Sequence, residues 1–315
     1  MSRQIRVVCT AENHMVYGGG RDFKAMAHQA ADFIERQITG TLVERPDLIV
    51  LPEVYDRFCG ISREDNNDYY KERGNIVYDR VKHLAKENNV NIVFSAVMDG
   101  GDGYMRNRQM FVGRDGEEKG IYDKNHLVWE EHTESNIAFG DDPKLIEMDI
   151  GKLGGVICYD LNFDELREKY LKLKPELLCF SSMYHGGYVA RNWAYTNRCY
   201  FAASVQQKQS YIINPLGEYV AQSNPYTVYA AADINLDYAV AHLDYNWQKK
   251  QDLKAKYGKF VDIQIPRGLG PFLITSLHPE ISAIQMAQEF EIELMDDLFA
   301  RGRKQRADFI ESRKK

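Results

Sequence analysis

Short apolar runs alternate with amphipathic stretches over most of this chain, and that alternation restricts the folds that are open to it. Ile5–Thr10 and Leu177–Ser182 are predicted strands, whereas Arg21–Thr39 and Asp164–Leu173 carry apolar residues at helical spacing. Hairpin signals, such as an Asp-Gly turn at 115–116, are mixed in. The pattern predicts an α/β fold, a four-layer αββα sandwich of two mixed β-sheets with helices outside.

The alternation ends near residue 242, where helical and charged segments take over. We expect residues 1–242 to form the sandwich domain. Residues 243–315 are predicted to be a helical C-terminal extension that belongs to the same unit and to an oligomer interface. Within the first part, Tyr70–Asn88 is predicted to be one continuous helix.

Charge and cysteine usage exclude several classes of protein. The net charge is −6 with acidic residues spread throughout, which argues against nucleic acid as a partner, and no apolar run is long enough to cross a membrane. The cysteines form an odd set without a Cys-x-x-Cys pair, so neither structural zinc nor a disulfide framework is indicated. A cytoplasmic protein fits this usage. The five cysteines are Cys9, Cys59, Cys158, Cys179 and Cys199.

Three polar residues share one placement, at the end of an apolar strand and before a polar loop: Glu53, Lys124 and Cys158. Each alone has an ordinary explanation as a solvated turn acid, an edge-strand charge or a buried apolar thiol. Together they supply a carboxylate base, a cation and a nucleophile. A thiol with a reference pKa of about 8.5 is a poor nucleophile at neutral pH until a cation or a base assists it. The set therefore indicates covalent catalysis by Cys158.

The sequence around these residues resembles the three signatures of the nitrilase superfamily of carbon–nitrogen hydrolases. The motifs are Leu-Pro-Glu at 51–53, Tyr-x-Lys-x-His-Leu at 122–127 and Gly-x-x-Cys-Tyr-Asp-x-x-Phe at 155–163, in the family's order. Asn-Pro-Leu-Gly-Glu at 214–218 is similar to a late strand turn of that family, and the resemblance covers roughly residues 5–235.

The resemblance implies the same αββα fold and a role for each motif residue. Cys158 would be the nucleophile, Glu53 the general base and later acid, and Lys124 the stabiliser of the tetrahedral intermediate. The backbone N–H of Tyr159 would complete the oxyanion hole. Glu134 would be a second catalytic glutamate, although Gly-Asp at 140–141 departs from the family's Pro-Gly, and the neighbouring glutamates at 130 and 131 remain open.

Aromatic and histidine side chains close to the motif strands are candidates for substrate binding, with packing as the alternative. They are Tyr55, Trp129, Tyr159, Tyr184 and His185. The resemblance implies neither a metal nor an organic cofactor.

The expected function is hydrolysis of a non-peptide C–N bond in a small amide or N-carbamoyl compound. The reaction would pass through a Cys thioester and release ammonia or an amine. A nitrilase acting on a C≡N bond is an alternative, although nitrilases have Cys-Trp-Glu where this chain has Cys-Tyr-Asp. A Cys–His hydrolase using His126 or His185, and a silent binding member of the superfamily, are further alternatives.

Two expectations concern what binds the chain. Carbamoylases of the family carry arginine just after Cys-x-Asp, whereas this chain has Leu161 and Asn162, so a neutral or cationic substrate is predicted unless Arg57 or Arg191 reaches the site. The family also implies a homodimer or higher even oligomer. It would be joined through the C-terminal tail and through the helix after Cys158, whose Leu166, Tyr170 and Leu173 we expect to be exposed.

Overall fold

A computed structural model describes residues 3–314 of the chain. In this range there are seventeen strands: β1 (Gln4–Thr10), β2 (Met15–Val16), β3 (Leu48–Val50), β4 (Phe58–Cys59), β5 (Asn91–Asp99), β6 (Met105–Val112), β7 (Glu118–Asp123), β8 (Ile146–Met148), β9 (Gly151–Ile157), β10 (Leu177–Ser182), β11 (Tyr200–Val205), β12 (Tyr211–Ile213), β13 (Tyr219–Gln222), β14 (Tyr229–Asn235), β15 (Tyr238–His242), β16 (Val261–Gln264) and β17 (Pro271–Ser276). The same range contains nine α-helices: α1 (Phe23–Thr41), α2 (Arg63–Arg73), α3 (Ile76–Glu87), α4 (Trp129–Thr133), α5 (Asp164–Leu173), α6 (Gly187–Asn197), α7 (Trp247–Tyr257), α8 (Ala283–Glu289) and α9 (Met295–Ser312).

The chain divides into two compact units, Ile5–Ile234 and a second that joins the start of the chain to everything from Asn235 onward. The second unit contains the antiparallel sheet β15–β17–β16 beside α7, α8 and α9, so the C-terminal region is not only helical. The boundary that we expected at residue 242 falls inside this unit. The reason is that β15 pairs along its whole length with β17.

The first unit is built on two mixed six-stranded sheets. Their strand orders are β14–β1–β3–β5–β6–β7 and β13–β12–β11–β10–β9–β8. The strands in the middle, β1–β3–β5 and β9–β10–β11, run parallel, and antiparallel hairpins extend both sheets. Parallel pairing aligns the strand ends at one edge of each sheet. The loop after β3 in the first sheet and the loop after β9 in the second line one cavity, because the two sheets pack face to face.

Helices cover the outer face of each sheet, which gives the predicted αββα order. On the first sheet, α1 buries mainly alanine and isoleucine side chains, and α3 buries valine, leucine and alanine side chains. In the second, α5 and α6 pack Leu166, Tyr170 and Trp193 on β9–β11. Leu166 and Tyr170, which we expected to be exposed, are therefore core residues, because the apolar stripe of α5 faces its own sheet. Leu173 is exposed.

Small and polar side chains join the facing surfaces of the two sheets. Ser181 Oγ donates to the Leu51 carbonyl at 2.7 Å, and the Gln109 amide donates to Ser181 Oγ at 2.8 Å. Gly155 allows this close approach, because a Cβ atom there would lie 2.5 Å from both Gln109 Oε1 and Tyr122 Cβ. These contacts fix the end of β3 beside the end of β10.

The predicted helix Tyr70–Asn88 is instead two helices, α2 and α3. The break lies at Gly74, whose φ of +47° and ψ of −123° end α2 in a conformation that residues with a Cβ atom avoid. No helix within residues 3–314 is long and apolar enough to cross a membrane.

Candidate active site

Glu53 lies in the turn after β3, on a locally strained backbone. The next residue, Val54, has φ +43°, a left-handed conformation that is costly for a β-branched side chain. His14 holds this turn, because its Nε2 lies 3.0 Å from the Glu53 carbonyl oxygen and 2.8 Å from that of Val54. Both partners are acceptors, so Nε2 carries the proton and donates to them. The backbone position of Glu53 is therefore fixed independently of the contacts of its side chain.

Lys124 follows the last strand of the first sheet and is buried. Its backbone N–H donates to the Asn107 carbonyl at 2.8 Å, which continues the β6–β7 ladder by one residue. The Asn107 side chain consequently lies beside the ammonium. Asn107 gave no motif signal in the sequence, since only the strand register puts it there.

Cys158 occupies a sharp turn between β9 and a short 3₁₀ helix, Cys158–Asn162. Its φ of +45° is left-handed, which is uncommon for a residue other than glycine. The buried carboxylate of Asp160 stabilises the turn by accepting the Ile157 N–H at 3.1 Å. Cys158 thus sits at a strained strand-to-helix turn of the kind that aims a nucleophile outward.

Lys124 lies between two carboxylates. Its Nζ is 2.9 Å from Glu53 Oε1 and 2.8 Å from Glu131 Oε2. The Asn107 amide joins the same two side chains, since Nδ2 donates to Glu53 Oε1 and to Glu131 Oε1, each at 2.9 Å. Glu131 also accepts the Val128 N–H at 3.0 Å, which fixes it at the start of α4. Glu53, Lys124, Glu131 and Asn107 form a closed network.

The pKa values set the resting protonation of this network. Burial alone would raise the pKa of Glu53, but the charge and hydrogen bond of Lys124 outweigh it and hold that pKa below its ordinary value. Burial lowers the pKa of Lys124, yet the two glutamates outweigh this and the net pKa is raised. Burial, followed by the charge of Glu53, raises the pKa of Cys158 to about 12 against the opposing effect of Lys124. At neutral pH the site holds a neutral thiol beside an ionised Glu53, so the lysine does not suffice to make a thiolate.

The structure places Glu131, and not the predicted Glu134, against Lys124. Glu134 lies one residue beyond α4, and its carboxylate pairs with Arg63 at the surface. Glu131 projects from the middle of α4 onto Lys124. The sequence could not show which of Glu130, Glu131 and Glu134 faces inward, because that depends on the residue at which α4 begins.

The aromatic candidates divide between core, surface and the neighbourhood of Cys158. Tyr55 is fully buried, packs on Phe33 and His14 and donates its hydroxyl to the Glu12 carbonyl, so it is a core residue. Trp129 is 75% exposed at the start of α4. These two residues do not line the cavity that contains Cys158.

Tyr159 and Tyr184 lie near Cys158, although neither is among the residues that line its cavity. Tyr159 directly follows Cys158, and its half-exposed ring packs edge-on against Phe163. Burial, followed by the proximity of Cys158, raises the pKa of Tyr184 to about 12.

Neither candidate histidine of a Cys–His pair lies against Cys158. The His126 ring stacks on Phe163 with centroids 3.7 Å apart, and its Nδ1 is 3.3 Å from Asp160 Oδ1. His185 Nδ1 accepts the Gly187 N–H at 3.1 Å. Neither ring lines the cavity of Cys158, so the geometry gives no support to this alternative.

A cavity of about 250 Å³ contains the network. Cys158, Glu53, Lys124 and Glu131 lie in its wall, and its remaining lining mixes apolar and polar side chains. These are Val54, Arg57, Asn66, Tyr70, Val97, Asn107, Val128, Ser135, Ile137 and Met183. Its size suits a small molecule. Among residues 3–314 no group of three His, Cys, Asp or Glu side chains is placed to hold a metal ion.

The fold and this site define a class of enzyme. An αββα sandwich that brings Glu, Lys and Cys together at its strand ends has the arrangement of a nitrilase-superfamily hydrolase of the amidase-like branch. Residues 16–241 match the family model described as carbon-nitrogen hydrolase, and the chain belongs to that family.

Known proteins agree with this assignment. The chain is similar to the nitrilase and fragile histidine triad fusion protein NitFhit of Caenorhabditis elegans, with 26% identity over 70% of this chain and 58% of that protein. It is also 26% identical to a deaminated glutathione amidase of Dictyostelium discoideum, over 65% of this chain and 81% of the relative. The crystal structure of Saccharomyces cerevisiae Nit3, a member of branch 10 of the nitrilase superfamily, has the same fold, with a TM-score of 0.60 at 21% identity over 74% of this chain and 90% of Nit3. The chain thus spans little more than half of the worm protein and most of the other two.

Proposed function

We propose that this chain is an amidase or carbamoylase that cleaves the C–N bond of a small amide or ureido compound through a thioester on Cys158. The observation that carries the proposal is the network in which Lys124 bridges Glu53 and Glu131 in the wall of the Cys158 cavity. The family supports amide hydrolysis in general.

In the first half of the reaction Glu53 is the base. It accepts the thiol proton while sulfur bonds to the substrate carbonyl carbon, and the C=O electron pair moves onto oxygen. Lys124 and the Tyr159 N–H stabilise that oxyanion. Protonated Glu53 then gives its proton to the leaving nitrogen, the C–N bond breaks and ammonia or an amine departs. A thioester remains on Cys158.

In the second half Glu53 takes a proton from water, whose oxygen attacks the thioester carbonyl. The C–S bond breaks, the proton returns to sulfur, and the acid is released; a ureido substrate gives the carbamate at this step. Glu131 keeps Lys124 charged and fixed between the two carboxylates throughout. This division of roles follows from the pKa pattern, since an ionised Glu53 beside a neutral thiol is the state that general-base attack requires.

The test uses a panel of small amides and ureido compounds with ammonia release and intact-protein mass as readouts. Wild-type protein should show a mass increase of one acyl group under rapid quench, and Cys158→Ala should fold normally with kcat below about 1% of wild type. Lys124→Ala should be comparably damaging. Turnover retained by Cys158→Ala would exclude the thioester route. Binding of panel compounds by wild-type protein without any turnover would instead indicate a binding member of the superfamily that has no catalytic activity.

We also propose a homodimer or a higher even oligomer. Leu171 on α5 and Tyr188 on α6 are exposed apolar side chains on two helices that contact each other, and such residues suit an interface. Size-exclusion chromatography with light scattering tests this. A mass of one 36.4 kDa chain at micromolar concentration would contradict it.

A further inference from the structure

Arg57 is a cation in the wall of the catalytic cavity that the reaction does not use. It belongs to the turn that starts at Glu53, and it lines both the cavity of Cys158 and an adjoining outer cavity of about 340 Å³. Its side chain is half-buried. A guanidinium at this place is open to a molecule that enters from the outer cavity.

The neighbouring arginines are already paired, and Arg57 is not. Asp56, the carboxylate next to Arg57 in sequence, is buried and pairs with Arg73 at 2.5 Å instead of with Arg57. Arg63, in the outer cavity, pairs with Glu134. Among residues 3–314 the Arg57 guanidinium has no salt bridge and no hydrogen-bond acceptor. A partly desolvated guanidinium with five free N–H donors matches a carboxylate better than any neutral group.

The engagement of the other cations near the cavity leads to the same ligand. Lys124 pairs with Glu53 and Glu131, and its third N–H donor serves the oxyanion in the proposed reaction. Leu161 is buried, and the Asn162 amide donates to the Tyr159 carbonyl at 3.1 Å, so position 162 supplies no cation. Arg191 donates to the Gly217 carbonyl at 2.7 Å and is likewise engaged outside the cavity. Within the described cavity lining, Arg57 is the one positive charge that neither a protein carboxylate nor the proposed reaction engages.

Two neutral side chains line the same cavity as the guanidinium. Asn66 and Tyr70 line the same cavity and bring an amide and a hydroxyl to it. Burial raises the pKa of Tyr70 to about 12 while the nearby Arg57 opposes the rise, so the hydroxyl keeps its proton at neutral pH and can donate. A carboxylate on Arg57 would therefore meet further donors.

We infer that Arg57 binds a carboxylate of the substrate, and hence that the substrate is an anionic amide or ureido compound such as the monoamide of a small dicarboxylic acid. This inference deepens the proposed function and rests on it. It reverses the expectation of a neutral or cationic substrate, which was drawn from the missing arginine at 162. The cation is present, but it comes from the loop after β3 instead of the loop after β9.

The experiment compares two isosteric amides, glutaramate and 5-methylhexanamide, in which an isopropyl group replaces the carboxylate. Wild-type kcat/KM should favour glutaramate by at least about tenfold, because a charged hydrogen-bonded pair replaces an apolar contact. Arg57→Gln should lower the ratio of the two kcat/KM values by about 100-fold, mainly through KM for glutaramate, and Arg57→Lys should give an intermediate ratio. The matched control is Arg63→Gln, whose partner is Glu134; the ratio should stay within about twofold of wild type.

A wild-type preference for 5-methylhexanamide, or a ratio that Arg57→Gln leaves unchanged, would overturn the inference while leaving the proposed hydrolysis intact. If no panel compound is hydrolysed, the proposed function fails, and calorimetric titration of glutarate decides the inference separately. Binding that Arg57→Gln weakens at least about tenfold supports it. Binding that the substitution leaves unchanged, or an absence of binding at millimolar glutarate, overturns it.

Discussion

The hydroxyl of Tyr122 donates a 2.7 Å hydrogen bond to the carboxylate of Asp160. Asp160 follows Cys158 by two residues, and Tyr122 precedes Lys124 by two. On the other side of Lys124, the His126 N–H donates to the second oxygen of Asp160 at 2.7 Å. One buried carboxylate therefore holds both flanks of Lys124 against the Cys158 turn, and the distance between ammonium and thiol depends on it.

We expect Asp160→Asn to lower kcat by about 10- to 100-fold with a smaller change in KM, because a misplaced thiol costs reaction geometry more than substrate affinity. The Asp160 carboxylate makes four polar contacts, one with Tyr122, two with His126 and one with the Ile157 N–H. Tyr122→Phe removes only the first and should have a weaker effect in the same direction. Asp164→Asn, on the exposed first turn of α5, is the control and should be neutral. A loss confined to KM would show that Asp160 does not position the nucleophile.

Glu131 and Glu134 give opposite expectations for the same substitution. Glu131→Gln places an amide against Lys124 and should lower kcat by about 100-fold, since it removes a charge that holds the ammonium in place. Glu134→Gln loses only a surface pair with Arg63 and should change kcat by less than about twofold. Steady-state kinetics of both variants, with unfolding curves as a check on folding, decides between them. Equal losses would contradict the assignment of Glu131.

The pH dependence of the reaction should follow a carboxyl group. Because the pKa of Glu53 lies below its ordinary value of 4.5, kcat/KM should fall only when the pH drops below that value, with no break near 6.5 from a histidine. Because the pKa of Cys158 is raised to about 12, no thiolate should be present at pH 7. Absorbance at 240 nm, compared with Cys158→Ser, measures this. A thiolate that titrates near neutrality would contradict general-base activation.

His14 should make the free energy of unfolding depend on pH. Burial lowers its pKa from 6.5, so the folded protein holds His14 neutral while the unfolded chain binds a proton. This contribution is fully present above pH 6.5 and is lost as the pH falls from there through the lowered value. The free energy of unfolding in urea should decline less between pH 7.5 and pH 5.5 for His14→Gln than for wild type. The glutamine amide can donate to the same two carbonyls but does not titrate. His83→Gln, on the exposed face of α3, should show the full decline.

The sequence determined the layers of the fold and pointed to Glu53, Lys124 and Cys158 as the candidate site. Apolar periodicity separates strands from helices locally, and Glu53, Lys124 and Cys158 each follow a strand. Glu53 and Lys124 belong to the first sheet and Cys158 to the second, so their meeting needed both the strand order and the packing of the two sheets. The ordered motifs supplied that order through the family resemblance. Two predictions from periodicity were wrong. Gly74 divides the predicted helix Tyr70–Asn88 into two helices, and the predicted helical extension contains the paired strands β15 and β17.

Tertiary structure decided everything that depends on which side chains meet across elements. Asn107 joins the network through the β6–β7 register, and Glu131 replaces Glu134 through the position of one helical turn. Arg57 becomes available because Arg73 takes Asp56. The protonation of Cys158 follows from burial beside Glu53, which outweighs the lysine. Contacts and desolvation act between residues far apart in the chain, and for this reason no local pattern encodes them.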